Sequence, residues 1–220
     1  CICMTQEAIP HNRELVKNLV SALMAGEDIA ASYARQLPAA DCGVIERFTR
    51  DFNYPGISRV KGKEDLEILG IKTYFCSNVC AAYKRDIYLK LGGFTAKTVF
   101  NEDMIYAATA VKAGYKIAYA ANAEVIHSHN YKAMEQLHRN FDLAVSQADH
   151  PEVFGRLPSE GEGMRLVRTT AGWLLKNGKW YLELVLQSGF KYIGYRLGKA
   201  YKKLPVRLIK KLTMNQSYWE

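Results

Sequence analysis

Apolar residues recur along this chain in two alternating patterns, which predicts a protein built from both helices and strands. Apolar side chains at every third or fourth position predict helices over 13–25, 85–91, 102–113 and 132–148. Short apolar runs bounded by polar or turn residues predict strands over 1–4, 29–34, 72–76 and 116–125, the first of them the end of a buried strand. The segment 41–70 shows neither pattern clearly and is predicted to be loop-rich. The fold class that follows is α/β, with a mixed sheet in the body of the chain, residues 1–155.

Residues 156–220 are predicted to form a helical appendage in which apolar and basic positions make separate stripes. The apolar stripe consists of Ile193, Leu197, Ala200, Tyr201, Leu204 and Leu208. Pro205 should split this helix, because proline lacks a backbone N–H and clashes with the preceding turn. Eight basic residues and no acidic residue lie between 184 and 219, whereas the remaining chain holds 22 of each sign.

This basic amphipathic segment suits an anionic surface. Residues 191–211 are therefore predicted to bind the anionic face of a membrane, the alternative being a helix packed on the domain with a solvated basic face. Nucleic acid is not predicted as a partner, because no glycine–aromatic nucleic-acid motif accompanies the charge.

Cysteine usage and hydropathy restrict the cellular locations that are expected for this protein. The five cysteines are odd in number and show no zinc-ligand spacing, which fits free thiols in a reducing cytoplasm. The chain has no run of 18 apolar residues, so no spanning helix is predicted. A cytoplasmic protein attached peripherally to the inner face of the cell membrane is the resulting expectation. The opening Cys1-Ile2-Cys3-Met4 is an apolar run without an initiator methionine, and it suggests an amino-terminal truncation.

Two adjacent carboxylates, Glu102 and Asp103, stand where a loop turns into a helix that Gly114 ends. The helix dipole favours a carboxylate in the first turn, which predicts that it stays ionised near neutral pH. Such a group facing a cleft can act as a general base. Local pattern alone favours a simpler interpretation, in which Asn101 caps the helix and the acidic pair only complements the dipole.

Three further side chains suggest a metal or phosphate site. Glu7 follows the first strand, and ligands of α/β sheets bind at the carboxyl ends of strands. His127 and His129 follow the last strand and, two residues apart, point to one face of an extended chain. The simpler interpretations are an exposed loop glutamate and polar residues at a sheet edge, since two ligands do not make a metal site.

Taken in order, five motifs resemble the later part of an inverting GT-A glycosyltransferase of family 2, and more narrowly its bacterial rhamnosyltransferase branch. These motifs are Thr5-Gln6-Glu7-Ala8, Cys76-Ser77-Asn78-Val79-Cys80-Ala81-Ala82-Tyr83, Gly92-Gly93-Phe94, Asn101-Glu102-Asp103 and His127-Ser128-His129-Asn130. The resemblance covers residues 1–155 and implies a Rossmann-like GT-A fold. Five motifs in the right order also reverse the preference for a merely structural Glu102-Asp103 pair.

The resemblance assigns a role to each matching position. Asp103 matches the catalytic base, with Glu102 beside it. The acceptor site would be bordered by Ser77, Asn78, Gly92, Gly93 and Phe94. The donor diphosphate would lie against Thr5, Gln6, Glu7, His127 and His129. Glu7 and His129 are the implied ligands of a divalent cation, Mg²⁺ or Mn²⁺, although Thr5 and Glu7 stand where the family has aspartates.

The implied reaction is an inverting transfer of rhamnose from a nucleotide sugar, dTDP-rhamnose, to a cell-surface polysaccharide or lipid-linked glycan. It needs one base for the acceptor hydroxyl and positive charge for the departing diphosphate. The family's nucleotide-binding first half precedes the first motif and is not in this chain, so weak or no activity is expected from the isolated chain. The competing hypotheses are a two-carboxylate glycosidase, a non-catalytic remnant, and a membrane-docking module that binds glycans or lipids.

Overall fold

The computed structural model describes residues 1–155, 160–177 and 181–220 as a mixed α/β protein with helices towards its carboxyl end. The strands are β1 (Ile2–Met4), β2 (Ile9–Pro10), β3 (Ile29–Leu37), β4 (Arg59–Lys61), β5 (Cys80–Tyr83) and β6 (Lys116–Ile126). The helices are α1 (Leu15–Leu23), α2 (Val44–Asn53), α3 (Leu66–Leu69), α4 (Arg85–Lys90), α5 (Glu102–Lys112), α6 (Ala133–Asp149), α7 (Pro151–Phe154), α8 (Glu160–Asn177), α9 (Tyr181–Lys199) and α10 (Val206–Leu212).

Two compact units divide the chain. Unit 1 comprises residues 1–95 and 102–129, and unit 2 comprises residues 96–101 and 130–220. The division after residue 155 that the sequence suggests remains a prediction.

Unit 1 is organised around a six-stranded mixed sheet in the order β1-β5-β3-β6-β2, with β4 also paired to β6. Only β3 and β6 run parallel; the other pairs are antiparallel. Small apolar residues fill the central strands, and α1 lays its buried leucines on one sheet face, forming a core with members such as Leu19, Ala34, Ala82 and Val125. The parallel pair ends at Leu37 and Ile126, so Gln36 and His127 come out at the same edge of the sheet.

Unit 2 is built on the packing of α6 against α9. Gly194 and Gly198 bring α9 so close to α6 that a methyl group at either position would collide with the backbone carbonyl of Leu137 or Phe141. Phe141, Val145 and Ile209 form a buried cluster at the α10 end, against which Leu197, Tyr201 and Leu204 pack. Pro205 separates the short 3-10 turn after α9 from α10, as predicted.

Three sequence predictions were wrong. The segment 72–76 is not a strand, because its first three residues complete a 3-10 turn over Gly70–Tyr74; the strand is β5, further on. Lys61 Nζ donates to the carbonyl oxygens of Lys72 and Phe75, so these carbonyls are held away from sheet pairing. The predicted loop over 41–70 contains α2, whose apolar positions are obscured by charged neighbours. The first strand is exposed rather than buried, because β1 lies at the edge of the sheet.

Candidate functional site

The predicted base and its neighbour are held by one asparagine. The backbone N–H of Asn78 donates to Asp103 Oδ2 at 3.0 Å, and the Asn78 side-chain amide donates to Glu102 Oε1 at 2.9 Å. Asp103 Oδ1 accepts from the N–H of Met104 at 2.7 Å. Both carboxylates therefore have fixed orientations, and Asn78, predicted to border the acceptor, lies directly against the predicted base.

Asp103 has an environment that suits proton transfer. Burial, together with the negative charge of Glu102, raises the pKa of Asp103 to about 7, against the lowering effect of its backbone hydrogen bonds. The prediction that it stays fully ionised near neutral pH was therefore wrong, because desolvation outweighs the helix dipole here. A carboxyl group that titrates near the working pH can take up and release a proton efficiently.

Asn78 is oriented by a tyrosine that the sequence reasoning did not single out. Tyr83 donates its hydroxyl to Asn78 Oδ1 at 2.7 Å, which turns the amide nitrogen of Asn78 towards Glu102. Burial raises the pKa of the Tyr83 phenol, so it stays a neutral donor. A tyrosine at the end of β5, within a motif of small residues, was the available sequence clue.

The predicted glycine turn is connected to Asn78 through a cluster of aromatic rings. Gly92 and Gly93 have positive φ angles of 83° and 70°, a conformation that glycine adopts without the steric cost of a side chain. A Cβ at Gly93 would also meet the ring of Tyr88. Phe94 follows this turn and packs edge-on against Tyr83 with ring centres 5.3 Å apart. The turn therefore supports the tyrosine that orients Asn78.

Glu7, His127 and His129 form a second group. One carboxylate oxygen and one ring nitrogen from each histidine lie within 4.8 Å of one another. Glu7 Oε2 is 3.9 Å from His127 Nε2 and 3.6 Å from His129 Nε2. The two imidazole rings meet edge to face with centres 4.5 Å apart, as the spacing of two residues predicted. The structure thus brings His127 to the two predicted ligands, Glu7 and His129.

This donor set fits a divalent transition metal better than Mg²⁺. Mg²⁺ prefers oxygen ligands, whereas two imidazole nitrogens beside one carboxylate favour a transition-metal ion; of the two ions that the resemblance implies, Mn²⁺ is therefore the better fit. Glu7 is exposed on the turn after β1, where its longer side chain reaches the histidines. Thr5 and Gln6, predicted to contact the diphosphate, are exposed on the same turn, and the N–H of Thr5 donates to the carbonyl of Val79 at 3.1 Å.

Gln36, a residue absent from the sequence-based site, joins the histidine group to the acceptor motif. It is 2% exposed at the end of β3. Its amide nitrogen donates to Ser77 Oγ at 2.8 Å and to the hydroxyl of Tyr54 at 2.6 Å. Its oxygen lies 3.1 Å from His127 Nδ1 and accepts from Arg50. A polar residue at the carboxyl end of a buried strand was the clue, since ligand sites of α/β sheets form there.

The histidine group and the carboxylate pair are therefore connected through two consecutive residues, Ser77 and Asn78. Ser77 is tied to the histidine side through Gln36, and Asn78 is tied to the carboxylate side. Among the predicted site residues, those two connect the groups, Phe94 lies one contact further away, and Thr5 and Gln6 flank Glu7.

Comparison with known proteins gives two curated relatives that match nearly the whole of this chain. The chain is 42% identical over 222 residues to the O-antigen chain rhamnosyltransferase RfbN of Salmonella typhimurium. It is 40% identical over 222 residues to the O-antigen chain rhamnosyltransferase WbaN of Salmonella anatum. Each alignment covers 99% of this chain and 70% of the relative. The chain matches no family model and no solved structure.

Proposed function

Because the chain belongs to the family of the O-antigen chain rhamnosyltransferases, we propose that it transfers rhamnose from dTDP-rhamnose to a growing O-antigen chain with inversion at the anomeric carbon. It is a bacterial glycosyltransferase of polysaccharide synthesis. Its unit 1 would be the later portion of a GT-A domain of family 2. The observation that carries the mechanism is the carboxylate pair fixed by Asn78.

Asp103 is the proposed base. In a single displacement it removes the proton of the acceptor hydroxyl while that oxygen forms a bond to the anomeric carbon. The bond from this carbon to the diphosphate oxygen breaks, and its electron pair leaves with the nucleotide diphosphate. A pKa of about 7 leaves a large share of Asp103 ionised and ready to accept the proton at neutral pH. The negative charge of Glu102 contributes to the raised pKa of Asp103.

The acceptor would lie against the residues that position Asp103. Ser77 and Asn78 form the segment between the two groups, and Gly92, Gly93 and Phe94 support it through Tyr83. Polar side chains beside an aromatic ring are a common way to hold a sugar, because the ring covers its apolar face. In this proposal these residues would border the place where an acceptor hydroxyl approaches Asp103.

The donor diphosphate would lie on the side of Glu7, His127 and His129, with Thr5 and Gln6 on the same turn. These three ligands would hold a divalent cation, for which Mn²⁺ is the better fit. When bound, the cation would neutralise charge on the departing diphosphate. Glu7 would hold it with a carboxylate and the histidines with their Nε2 atoms, which face Glu7.

The test of the base is sugar transfer by the full-length gene product that contains this chain, with dTDP-rhamnose, Mn²⁺ and membrane extract. Asp103→Asn should lower kcat by about 10²–10⁴-fold. For the unchanged protein, kcat should rise with pH through a limb near 7, because only ionised Asp103 can accept the proton. Glu102→Gln keeps the base and the acceptor for Asn78, so it should lose less turnover than Asp103→Asn and should move the limb to lower pH. Equal turnover in Asp103→Asn would contradict the assignment of Asp103 as the base, and no transfer by the unchanged protein would favour the non-catalytic alternative.

Attachment to an anionic membrane surface is the second part of the proposal, and it rests on unit 2. The described chain contains no helix that combines the length and apolar character needed to cross a bilayer. In unit 2, Tyr192 and Ile193 are exposed beside basic residues. Leu197 and Leu204, predicted to face the membrane, instead pack against the buried cluster, so the apolar contact surface is smaller than predicted.

Vesicle sedimentation tests this attachment. Charge reversal at Lys203, Arg207 and Lys211, all exposed, should abolish sedimentation with vesicles that contain 30% phosphatidylglycerol. The matched control exchanges Lys203 and Lys211 for arginine and should sediment like the unchanged protein. Sedimentation that survives charge reversal would contradict membrane attachment through residues 191–211.

A further inference from the structure

We propose that Gln36 is a positioning residue that fixes the proton of His127 on Nδ1 and so places the lone pair that binds the cation on Nε2. This inference rests on the proposed cation site. It assigns to a buried strand residue a function in the donor half of the site, exerted through its contact with His127.

The orientation of the Gln36 amide follows from its partners. Arg50 can only donate hydrogen bonds, so the atom of Gln36 that faces it is the amide oxygen. The amide nitrogen then faces the hydroxyls of Ser77 and Tyr54, which can accept. These contacts use both hydrogens and both lone-pair directions of the amide. A flipped amide would set its N–H groups against the guanidinium of Arg50.

The tautomer of His127 follows from that orientation. The same oxygen lies 3.1 Å from His127 Nδ1, so Nδ1 must carry a hydrogen and donate. In the neutral ring the lone pair is then on Nε2, the nitrogen that faces Glu7. A histidine that binds a metal through one nitrogen needs a partner for the other, and such a partner fixes both the ring and the tautomer.

Arg50 holds Gln36 in this role and is itself held. The guanidinium of Arg50 pairs with Glu46 at 2.6 Å, and both side chains are largely buried. Glu46 Oε1 also lies 3.4 Å from the backbone N–H of His129. The helix α2 therefore supports both histidines, one through Gln36 and one through Glu46. The position of this helix matters to the site although the sequence suggested a loop.

The experiment measures the tautomer and the binding of Mn²⁺ separately. ¹⁵N spectra of histidine-labelled protein, with His127→Gln used to assign the signal, report which ring nitrogen carries the proton. Titration with Mn²⁺ alone, followed by electron paramagnetic resonance, gives its Kd. The unchanged protein should show His127 protonated on Nδ1. Gln36→Leu should lose this preference and weaken Mn²⁺ binding by about 10–100-fold.

Two further variants make the test specific. Gln36→Glu keeps an acceptor for His127 Nδ1–H and for Arg50, so it should keep the tautomer and the affinity for Mn²⁺. Tyr54→Phe removes one partner of the amide nitrogen and leaves the amide oxygen untouched. It should change the Kd by less than twofold. Circular dichroism checks that each variant is folded. If Gln36→Leu is not, the tautomer of His127 in the unchanged protein carries the test.

The outcomes separate this inference from the proposed function. Protonation of His127 on Nε2 in the unchanged protein would overturn the role of Gln36. So would Gln36→Leu with unchanged tautomer and Kd, even if His127→Gln shows that the Mn²⁺ site exists. A tautomer that depends on Gln36, in a protein that does not bind Mn²⁺, would support the positioning role and contradict the cation site.

Discussion

Removing the carboxylate charge of Asp103 should change the pH dependence of stability in a defined direction. The pKa of Asp103 is about 7 in the folded protein, against 3.8 for an unperturbed aspartate. Between these values the folded state holds a proton that the unfolded state has released, so a rise in pH favours unfolding. The stabilisation by the bound proton is complete below pH 4 and is lost as the pH passes 7.

The magnitude follows from the shift. Each pKa unit corresponds to about 1.36 kcal/mol, so the full effect is about 4 kcal/mol, and the part lost between pH 5 and pH 8 is about 2.6 kcal/mol. Asp103→Asn has no such proton to lose. It does lose one of two acceptors for backbone N–H groups, a cost of about 1 kcal/mol that does not depend on pH.

The assay is urea unfolding of the unchanged protein and of Asp103→Asn at pH 5, 6, 7 and 8. The free energy of unfolding of the variant, relative to that of the unchanged protein, should increase by about 2.6 kcal/mol from pH 5 to pH 8. In Glu102→Gln the free energy of unfolding should stop falling at a lower pH than in the unchanged protein, since the charge of Glu102 helps to raise the pKa of Asp103. A difference that stays constant over this range would refute the burial argument.

Three other perturbations test separate parts of the fold. Burial lowers the pKa of Lys61 to about 7, so the free energy of unfolding should rise with pH by about 2 kcal/mol from pH 7 to 9, and urea unfolding of Lys61→Met should show no such rise. Gly194→Val should lower the free energy of unfolding by about 1–3 kcal/mol through the clash with α6, whereas Gly189→Ala, in space left open by the described chain, should not; thermal unfolding compares them. Tyr83→Phe should lower kcat by about threefold to tenfold with little change in KM, because Asn78 loses its orienting donor; steady-state kinetics that show no change would contradict that role.

Long, strongly patterned segments were predictable from the sequence. The helices α1, α5 and α6 and the strands β3 and β6 all lie where apolar spacing placed them. Their boundaries depend on local chemistry, such as Gly114 with its φ of 91° after α5. Asp103 lies in one of these elements and the two histidines follow another, so their positions could be predicted from the sequence.

The rest depended on contacts between distant parts of the chain. The turn before β5 is shaped by Lys61, whose buried Nζ donates hydrogen bonds to carbonyl oxygens of a segment more than ten residues away. No local pattern encodes that pairing. The helix α2 was missed because its charges, among them Arg50 and Glu46, are buried against partners rather than solvated. Burial likewise decided the pKa of Asp103, and burial cannot be read from a helix start alone.

The consecutive residues Ser77 and Asn78 connect the histidine group, at the carboxyl end of the sheet, to the carboxylate pair at the start of α5. Ser77 faces the histidine side through Gln36, and Asn78 faces the carboxylates, so one peptide unit transmits position between them. A displacement reaction needs the acceptor oxygen and the leaving diphosphate on opposite sides of one carbon, and misplacement of either by about 1 Å can cost about 100-fold in rate. A short, buried connection held at both ends restricts such misplacement. This gives a physical reason for a dense hydrogen-bond network around residues that touch no reacting atom.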